Sequence, residues 1–313
     1  MMVILRSMLF VPANNWRMIL RAIKEREDAV ILDLEDAVPL GEKETGRIFA
    51  RDSLPMFKER NIVTYVRVNS LETGFTAEDL NYITNKDLTG VMLPKSGSVE
   101  DILQLENIIE EEEERKGLST GNISIIPLLE TPKGVAKANE IAVASKRVKA
   151  LSFGAGDFLR ELGGGFATTQ LSPEEYFPML LYARSHISIA AKSAGIPAID
   201  TPFFGLLLDM KGLRTETEKA KLLGFSGKLL IHPRQIDPVN EVFSPSPEDI
   251  EYAKNIIAAY KEAEAKGLGA ASFGGRMIDY AMFAMGEALL EKAEMISEKE
   301  KRQVVSETSN IIE

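Results

Sequence analysis

Six apolar runs of this chain end on residues able to do chemistry. One ends in Asp33-Leu34-Glu35-Asp36, the next in Arg67-Val68-Asn69, the next in Pro94-Lys95 and the next in Glu130. A further run leads into Gly154-Ala155-Gly156-Asp157, and the last into His232-Pro233. A single carboxylate at such a place commonly caps a helix. Three acidic ends beside an arginine end are harder to explain that way, because carboxylates gathered on one rim repel and raise one another's pKa, a penalty that a divalent cation removes. Glu130 and Asp157 are therefore read as direct ligands, with Glu35 and Asp36 behind them or holding ligand waters. The chain of 313 residues has no Cys and only two His, His186 and His232. The metal must then be held by carboxylates, which selects a hard ion, Mg²⁺ or Mn²⁺. Two carboxylates suffice for Mg²⁺, which keeps places for water and substrate oxygens.

Around that core, Gly156 lets backbone approach an anionic substrate, and Asn69, Lys95 and His232 stand on the same rim as candidates for binding it. His232 is equally readable as a turn residue bonded to backbone, and His186, mid-helix, as structural. Gly154-Ala155-Gly156 lacks the third glycine and the later acid of a dinucleotide loop. Gly163-Gly164-Gly165 reads as a linker or a flexible loop beside the site. The acidic run from Glu110 to Glu114 reads as a solvated helix end.

Such a rim needs elements that deliver every run to the same end. The apolar runs are residues 5–11, 29–34, 62–68, 90–93, 123–129, 148–153, 197–199 and 228–231, several of them apolar throughout, as strands buried on both faces should be. Between them lie helical patterns at 14–24, 43–58, 99–115, 132–144 and 173–194, with Ser98, Thr131 and Ser172 placed as N-caps and Pro132 at a first helical position. Strand alternating with helix eight times predicts a (β/α)₈ TIM barrel over residues 1–243, with an open doubly wound sheet as the runner-up. After Phe243 the pattern changes. Ser244-Pro245-Ser246-Pro247 opens a helix at 248–266, a small-residue stretch fills 267–275 and a helix follows at 277–293, with a frayed polar end from Glu298. Residues 244–313 are expected to form a helical extension, a lid packing over a barrel mouth.

Composition narrows the partners. Lys and Arg number 37 against 47 Asp and Glu, a net charge of −10, which repels phosphate backbones and anionic lipid. Nucleic acid and membranes are thus poor partners, and a small molecule is the expected one. The absence of cysteine excludes disulfides, thiolate metal sites and a thiol nucleophile. No apolar stretch is long enough for a membrane span, the first ten residues are interrupted by Arg6, and the expected compartment is the cytoplasm.

Read together, these residues resemble the citrate lyase β-subunit family, within the wider HpcH/HpaI aldolase group that includes malyl-CoA and citramalyl-CoA lyases. The resemblance is carried by Arg6-Ser7-Met8-Leu9-Phe10-Val11-Pro12, Asp33-Leu34-Glu35-Asp36-Ala37-Val38, Val66-Arg67-Val68-Asn69, Leu93-Pro94-Lys95, Leu129-Glu130-Thr131 and Phe153-Gly154 with Asp157. Ala194-Gly195-Ile196 with Asp200, Gly227-Lys228, Ile231-His232-Pro233 and Met277-Ile278-Asp279 continue it in order. It implies a Mg²⁺-dependent barrel that splits a 3-hydroxyacyl-CoA of malyl, citramalyl or citryl type into acetyl-CoA and glyoxylate, pyruvate or oxaloacetate. It implies Glu130 and Asp157 as metal ligands and Arg67 as the group contacting the reacting carbonyl oxygen. Arg6 would lie near the substrate, and Asp279 would sit on a C-terminal segment that closes over the barrel mouth, in relatives often that of a neighbouring subunit. By position alone Asp279 reads as a helix-start residue. The resemblance also implies a homo-oligomer, trimer or hexamer, and in a citrate lyase complex an α subunit and an acyl-carrier protein. Two departures stand out: Ala13-Asn14-Asn15 where glycine is usual after Pro12, and Lys133 where a small residue is commoner.

The implied mechanism matches these residue types. Cleavage between C2 and C3 makes a thioester enolate and a 2-oxo acid; a chelated cation serves as Lewis acid, Arg67 stabilises the enolate oxygen and Asp279 exchanges a proton with the enolate carbon. Two other readings compete: a CoA-independent, metal-dependent 2-oxo acid aldolase on the same barrel, and a non-catalytic CoA-binding or acyl-carrier-binding subunit of a larger complex.

Overall fold

Eight short runs rich in Val, Ile and Leu, each too short for a buried helix, form eight parallel strands that close on themselves. The structure is a computed structural model that describes residues 4–163 and 173–309. The strands are β1 (Ser7–Pro12), β2 (Ala29–Asp33), β3 (Val63–Arg67), β4 (Gly90–Leu93), β5 (Ser124–Leu129), β6 (Leu151–Phe153), β7 (Ala198–Asp200) and β8 (Gly227–Leu230), paired in that order with β8 returning to β1. Between and after them run α1 (Trp16–Ala22), α2 (Lys43–Glu59), α3 (Thr76–Ile83), α4 (Val99–Arg115), α5 (Pro132–Ala136), α6 (Ala138–Ala142), α7 (Ala155–Glu161), α8 (Pro173–Met179), α9 (Leu181–Ser193), α10 (Met210–Leu222) and α11 (Ile236–Phe243). The fold is a (β/α)₈ barrel, and the open-sheet alternative is set aside.

Alternation along each strand sorts the core into two. Leu9, Val11, Val30, Leu32, Val66, Val91, Leu129 and Leu151 point outward and pack with the surrounding helices, whereas Met8, Ile31, Tyr65, Met92, Ile126, Leu128, Ile199 and Leu229 fill the barrel interior. Close approach at the start of β8 needs a glycine. A Cβ on Gly227 would lie 1.7 Å from the Leu5 carbonyl oxygen.

Ser98 caps α4 by accepting the Asp101 N–H, and Thr131 caps α5 ahead of Pro132. The expected helix at 132–144 is two short helices, and the one at 173–194 breaks at Leu180, just after Pro178, which has no N–H to donate. The sixth strand starts later than its apolar run, and Val148 makes only an isolated bridge to Ile125. Ser172, Gly164 and Gly165 lie outside the described residues. The acidic run at the end of α4 is not wholly solvated. Glu113 is buried, where Arg147 donates to it at 2.7 Å and the Gly121 and Ile123 N–H groups donate as well.

Residues Leu5–Phe243 form one compact unit, and the flanking residues, Ile4 and those from Ser244 onward, form another. In that second unit α12 (Pro247–Ala265) opens with a reciprocal cap between Ser246 and Asp249. The small-residue stretch folds as a hairpin, β9 (Ala271–Phe273) against β10 (Arg276–Ile278), turned by Gly274 and Gly275 at φ 58° and 78°. Met277 is thus paired as strand, and the last helix, α13 (Tyr280–Ser309), begins later and runs further than its pattern suggested. Ile256, Tyr260 and Ile278 form this unit's own core.

Candidate active site

The inward pleat that carries Ile31 and Tyr65 continues, two residues on, to Asp33 and Arg67, which stand opposite each other in the β2–β3 register. Arg67 donates from Nε to Asp33 Oδ1 at 2.7 Å and from Nη2 to Oδ2 at 2.5 Å. The same carboxylate accepts the Glu35 and Ala37 N–H groups at 2.9 and 3.1 Å. A third guanidinium nitrogen lies 3.1 Å from Glu35 Oε2, and the Phe10 ring lies 4.8 Å from its central carbon. Burial opposes the charge on Arg67, but the hydrogen bonds from Asp33 and the charges of Asp33, Glu35 and Glu130 hold it protonated, well above its ordinary value.

Glu130 follows β5 on the same inward face and is 3% exposed. Its Oε1 accepts the Lys95 backbone N–H at 2.8 Å, and Lys95 adopts φ 53°, the left-handed region that a residue with a side chain seldom enters. The Lys95 ammonium turns to Glu35 at 3.2 Å. Burial, then the charge of Glu35 and, more weakly, that of Asp157 push Glu130 up to about 8, against the pull of the Lys95 N–H and Arg67. Glu35 is likewise raised, by burial first and by Asp36, while Arg67 and Lys95 pull it down. Beside Glu130 only glycine fits: a Cβ on Gly154 would lie 2.6 Å from both Glu130 Cβ and Oε2.

Gly154 is also where α7 starts. Thr201, just past β7 and fully buried, accepts the Ala155 N–H at 3.0 Å and so ties down the helix whose first turn carries Asp157. Asp157 is part-exposed and pairs with Arg160 at 2.7 Å. Arg67, Glu130, Gly156, Asp157 and Thr201 line one pocket of about 150 Å³, together with Phe10, Leu128, Gly154, Pro202, Phe204 and Leu229.

This donor set fits a hard divalent cation. Two carboxylates share a pocket in which Glu130 resists ionising alone, and Glu35 Oε2, close behind, is buried without a hydrogen bond. Among the described residues no three His, Asp or Glu side chains converge as a metal cage, so an ion bound here would take further oxygens from water and substrate.

The structure thus brings Arg67, Glu130, Gly156 and Asp157 together, with Glu35 and Lys95 buttressing them from behind; Asp36 is exposed. Two expectations need correction. Arg6 precedes β1 and lies at the other end of the barrel from the site, about 20 Å away along a six-residue strand. There it is 2% exposed and grips Asp28 through Nε at 2.9 Å and Nη2 at 3.0 Å, a structural pair. Asn69 points away from the pocket into a buried knot, where its amide and its backbone N–H both donate to Asp79 Oδ2 at 2.7 Å while Arg47 holds the other oxygen. His232 is half-buried past β8, and its Nδ1 accepts the Arg234 N–H to cap a short 3-10 turn. His186 stacks on Tyr182. Asp279, in the second unit, is exposed and caps α13 by accepting the Met282 N–H at 3.0 Å. Asp33, Thr201 and Phe10 were not singled out from sequence. The signal for Asp33 was available in the period-two pattern Ala29, Ile31, Asp33.

The profile of the HpcH/HpaI aldolase/citrate lyase family matches residues 6–233. The chain is 40% identical over 290 residues to the citrate lyase subunit beta of Haemophilus influenzae, covering 92% of this chain and 96% of that protein. It is 32% identical over 307 residues to the L-malyl-CoA/beta-methylmalyl-CoA lyase of Cereibacter sphaeroides, covering 93% and 95%. Among solved structures, protein CitE from Mycobacterium tuberculosis in complex with magnesium, acetoacetate and coenzyme A aligns with a TM-score of 0.75 at 30% identity, covering 92% of this chain and 98% of that one.

Proposed function

Because this chain belongs to the HpcH/HpaI aldolase/citrate lyase family, we propose that its barrel rim is the active site of a Mg²⁺-dependent carbon–carbon lyase that cleaves a 3-hydroxyacyl-CoA into acetyl-CoA and a 2-oxo acid. The observation that carries this reading is the convergence of Arg67, Glu130 and Asp157 on one small pocket.

Glu130 and Asp157 are the residues that would hold the ion, with Lys95 N–H and Gly154 setting the rotamer of Glu130 and Thr201 setting the start of the Asp157 helix. Mg²⁺ bound there supplies Lewis acidity and a template for the carboxylate and carbonyl oxygens of the 2-oxo acid. Arg67, held rigid by Asp33, Glu35 and Phe10, directs a fixed positive charge at the oxygen of the thioester enolate as it forms. Being already oriented, it needs no reorganisation as the charge develops. Asp279, matched to the family's C-terminal signature, would deliver a proton to the enolate carbon, or take one from the acetyl methyl in the reverse direction. His232 remains a binding candidate, with its Nδ1 accepting the Arg234 N–H of the turn.

Replacing Glu130 or Asp157 by Ala should abolish Mg²⁺-dependent thioester cleavage while far-UV circular dichroism and the melting temperature stay close to wild type. Full activity in both variants would overturn the ligand assignment. The resemblance to citrate lyase subunit beta favours a second reading, in which the chain works as the β subunit of a citrate lyase complex with an α subunit and an acyl-carrier protein. Turnover of free CoA thioesters by the isolated chain separates the two readings, and the same preparation's mass in solution tests the trimer or hexamer.

A further inference from the structure

We infer a second binding site away from the rim: an open cleft at the ends of α3 and α4 that takes a small, multiply charged anion, either a phosphate ester or a polycarboxylate. The helices of a (β/α)₈ barrel run back against its strands, so their last turns gather at the end opposite the chemistry. The cleft, about 460 Å³, is lined among the described residues by Arg51 of α2, Asn81 and Tyr82 of α3, Thr84 and Asn85 just past that helix, and Lys116 just past α4. Its size lies within the range of about 300–1,000 Å³ usual for small-molecule sites. Two cations and no carboxylate stand in this described lining, on a chain whose net charge is −10. None of its residues belongs to the pocket that holds Arg67, Glu130 and Asp157.

What this lining has left to offer is donors. Lys116 gives two of its hydrogens to backbone, to the Thr84 carbonyl at 2.9 Å and to the Asn81 carbonyl, while Glu112 stands 3.7 Å away. Those two bonds cover the negative end of α3, which would otherwise repel an anion. Arg51 engages Asp52 through Nε at 2.7 Å, and its two terminal nitrogens meet no carboxylate among the described residues. Asn81 Oδ1 accepts from Arg115 at 2.6 Å and Asn85 Oδ1 accepts the Asp87 N–H at 2.9 Å, which fixes both amides and leaves each with an NH₂ that can only donate. Thr84 is 1% exposed, and its hydroxyl has no hydrogen-bond partner among the described residues, a condition that buried polar groups seldom keep. Burial holds Lys116 below its ordinary value, and the charges of Arg115 and Arg51 add to this against the pull of Glu112. An anion between Arg51 and Lys116 relieves that repulsion and accepts from the donors around it. A metal ion would find no carboxylate in the described lining, and an apolar ligand would bury these donors unpaired. Two cations match more than one negative charge.

The test titrates pyrophosphate and, separately, citrate into the full chain by calorimetry, in buffer free of Mg²⁺ because both probes chelate it. Saturable binding of at least one probe is expected, weakened about tenfold or more in R51Q, the scale of one lost hydrogen bond to a charged group. R51K, which returns the charge, should recover most of that affinity. Arg51 is 46% exposed on a helix, so both variants should fold, with melting curves as the check. R67Q, altered at the rim, should bind the probe as wild type does. Pyrophosphate binding identifies phosphate esters as the ligand class and citrate binding identifies polycarboxylates, and either upholds the site. Saturable binding of neither anion, binding that R51Q leaves unchanged, or binding that R67Q abolishes and R51Q does not, would overturn the inference.

Discussion

Asp33 illustrates how one residue can govern a site without facing the substrate. Each of its oxygens accepts one guanidinium nitrogen and one backbone N–H, so the arginine and the turn after β2 are held by the same carboxylate. In D33N one oxygen becomes an NH₂ that can only donate, and the two-point grip on Arg67 is lost. A kcat lower by on the order of a hundredfold is expected, the scale of a lost oxyanion donor, with KM little changed because the thioester's remote contacts are untouched. Steady-state kinetics on D33N, with its melting curve beside them, check this. At Gly154 the constraint is steric. In G154A the new methyl group would occupy the space of Glu130 Oε2, and Mg²⁺ affinity by calorimetry should fall about 10–100-fold while the fold persists. Unchanged Mg²⁺ binding in G154A would mean that Glu130 is free to move aside. Glu130, Asp157 and Arg67 were legible in sequence because barrel chemistry collects where strands end. Asp33 was passed over in favour of Glu35 and Asp36, although strand parity, followed strictly, selects it. Arg6 and Asn69 misled because a motif marks a position without saying which way its side chain points: the first lies just before its strand, at the end away from the site, and the second turns outward to Asp79.

At the scale of elements, the strands were the most legible part of the sequence, since eight short apolar runs separated by helical periods admit few arrangements. The helix breaks at Lys137 and Leu180 were not, because continuous helical periodicity spans both. Least legible of all was what locks β7 and β8 to the helices outside them. Arg184 of α9 donates to Asp200 at the end of β7 at 2.8 Å, and Lys228 of β8 donates to Asp200 and to Glu216 of α10, both at 2.7 Å. Tyr176 of α8 donates to Glu216 as well. All four charges are shielded from solvent, which no local pattern announces. Thr201, which anchors the Asp157 helix, directly follows Asp200, so this network bears on the site through a single peptide bond. K228M keeps the bulk of the side chain but leaves Asp200 and Glu216 with less compensation. A loss of about 3–5 kcal/mol is expected from breaking a buried ion-pair group at one partner. Urea unfolding would measure it, and a change below about 1 kcal/mol, the level of an exposed pair, would show the network to be solvated in practice.

For the whole molecule, buried carboxylates tie stability to pH with a definite sign. Glu113 is held below its ordinary value: burial raises it, but Arg147 and the Gly121 and Ile123 N–H groups outweigh that. Asp200 is lowered in the same way, its burial outweighed by Arg184 and Lys228. For a carboxylate whose pKa is lower folded than unfolded, the folded state binds fewer protons, so its stabilising contribution is complete above the unfolded pKa, about 4, and disappears as pH falls through the folded one. Between pH 5 and 7, then, neither of these two groups makes stability depend on pH, and acid removes their contribution only as it titrates them below about pH 4. E113Q isolates one of these contributions, because an amide of the same shape cannot ionise and makes only a neutral bond to Arg147. Urea midpoints for wild type and E113Q should differ by a constant amount at pH 5 to 7, with wild type the more stable, and converge as the pH is lowered from about 4. A gap that stays constant into strong acid would mean that Glu113 stabilises this loop by packing and not by charge. The anchor it provides joins the end of α4 to the start of β5, the strand that presents Glu130, so the acid-sensitive part of the barrel lies on the same strand as the proposed ligand.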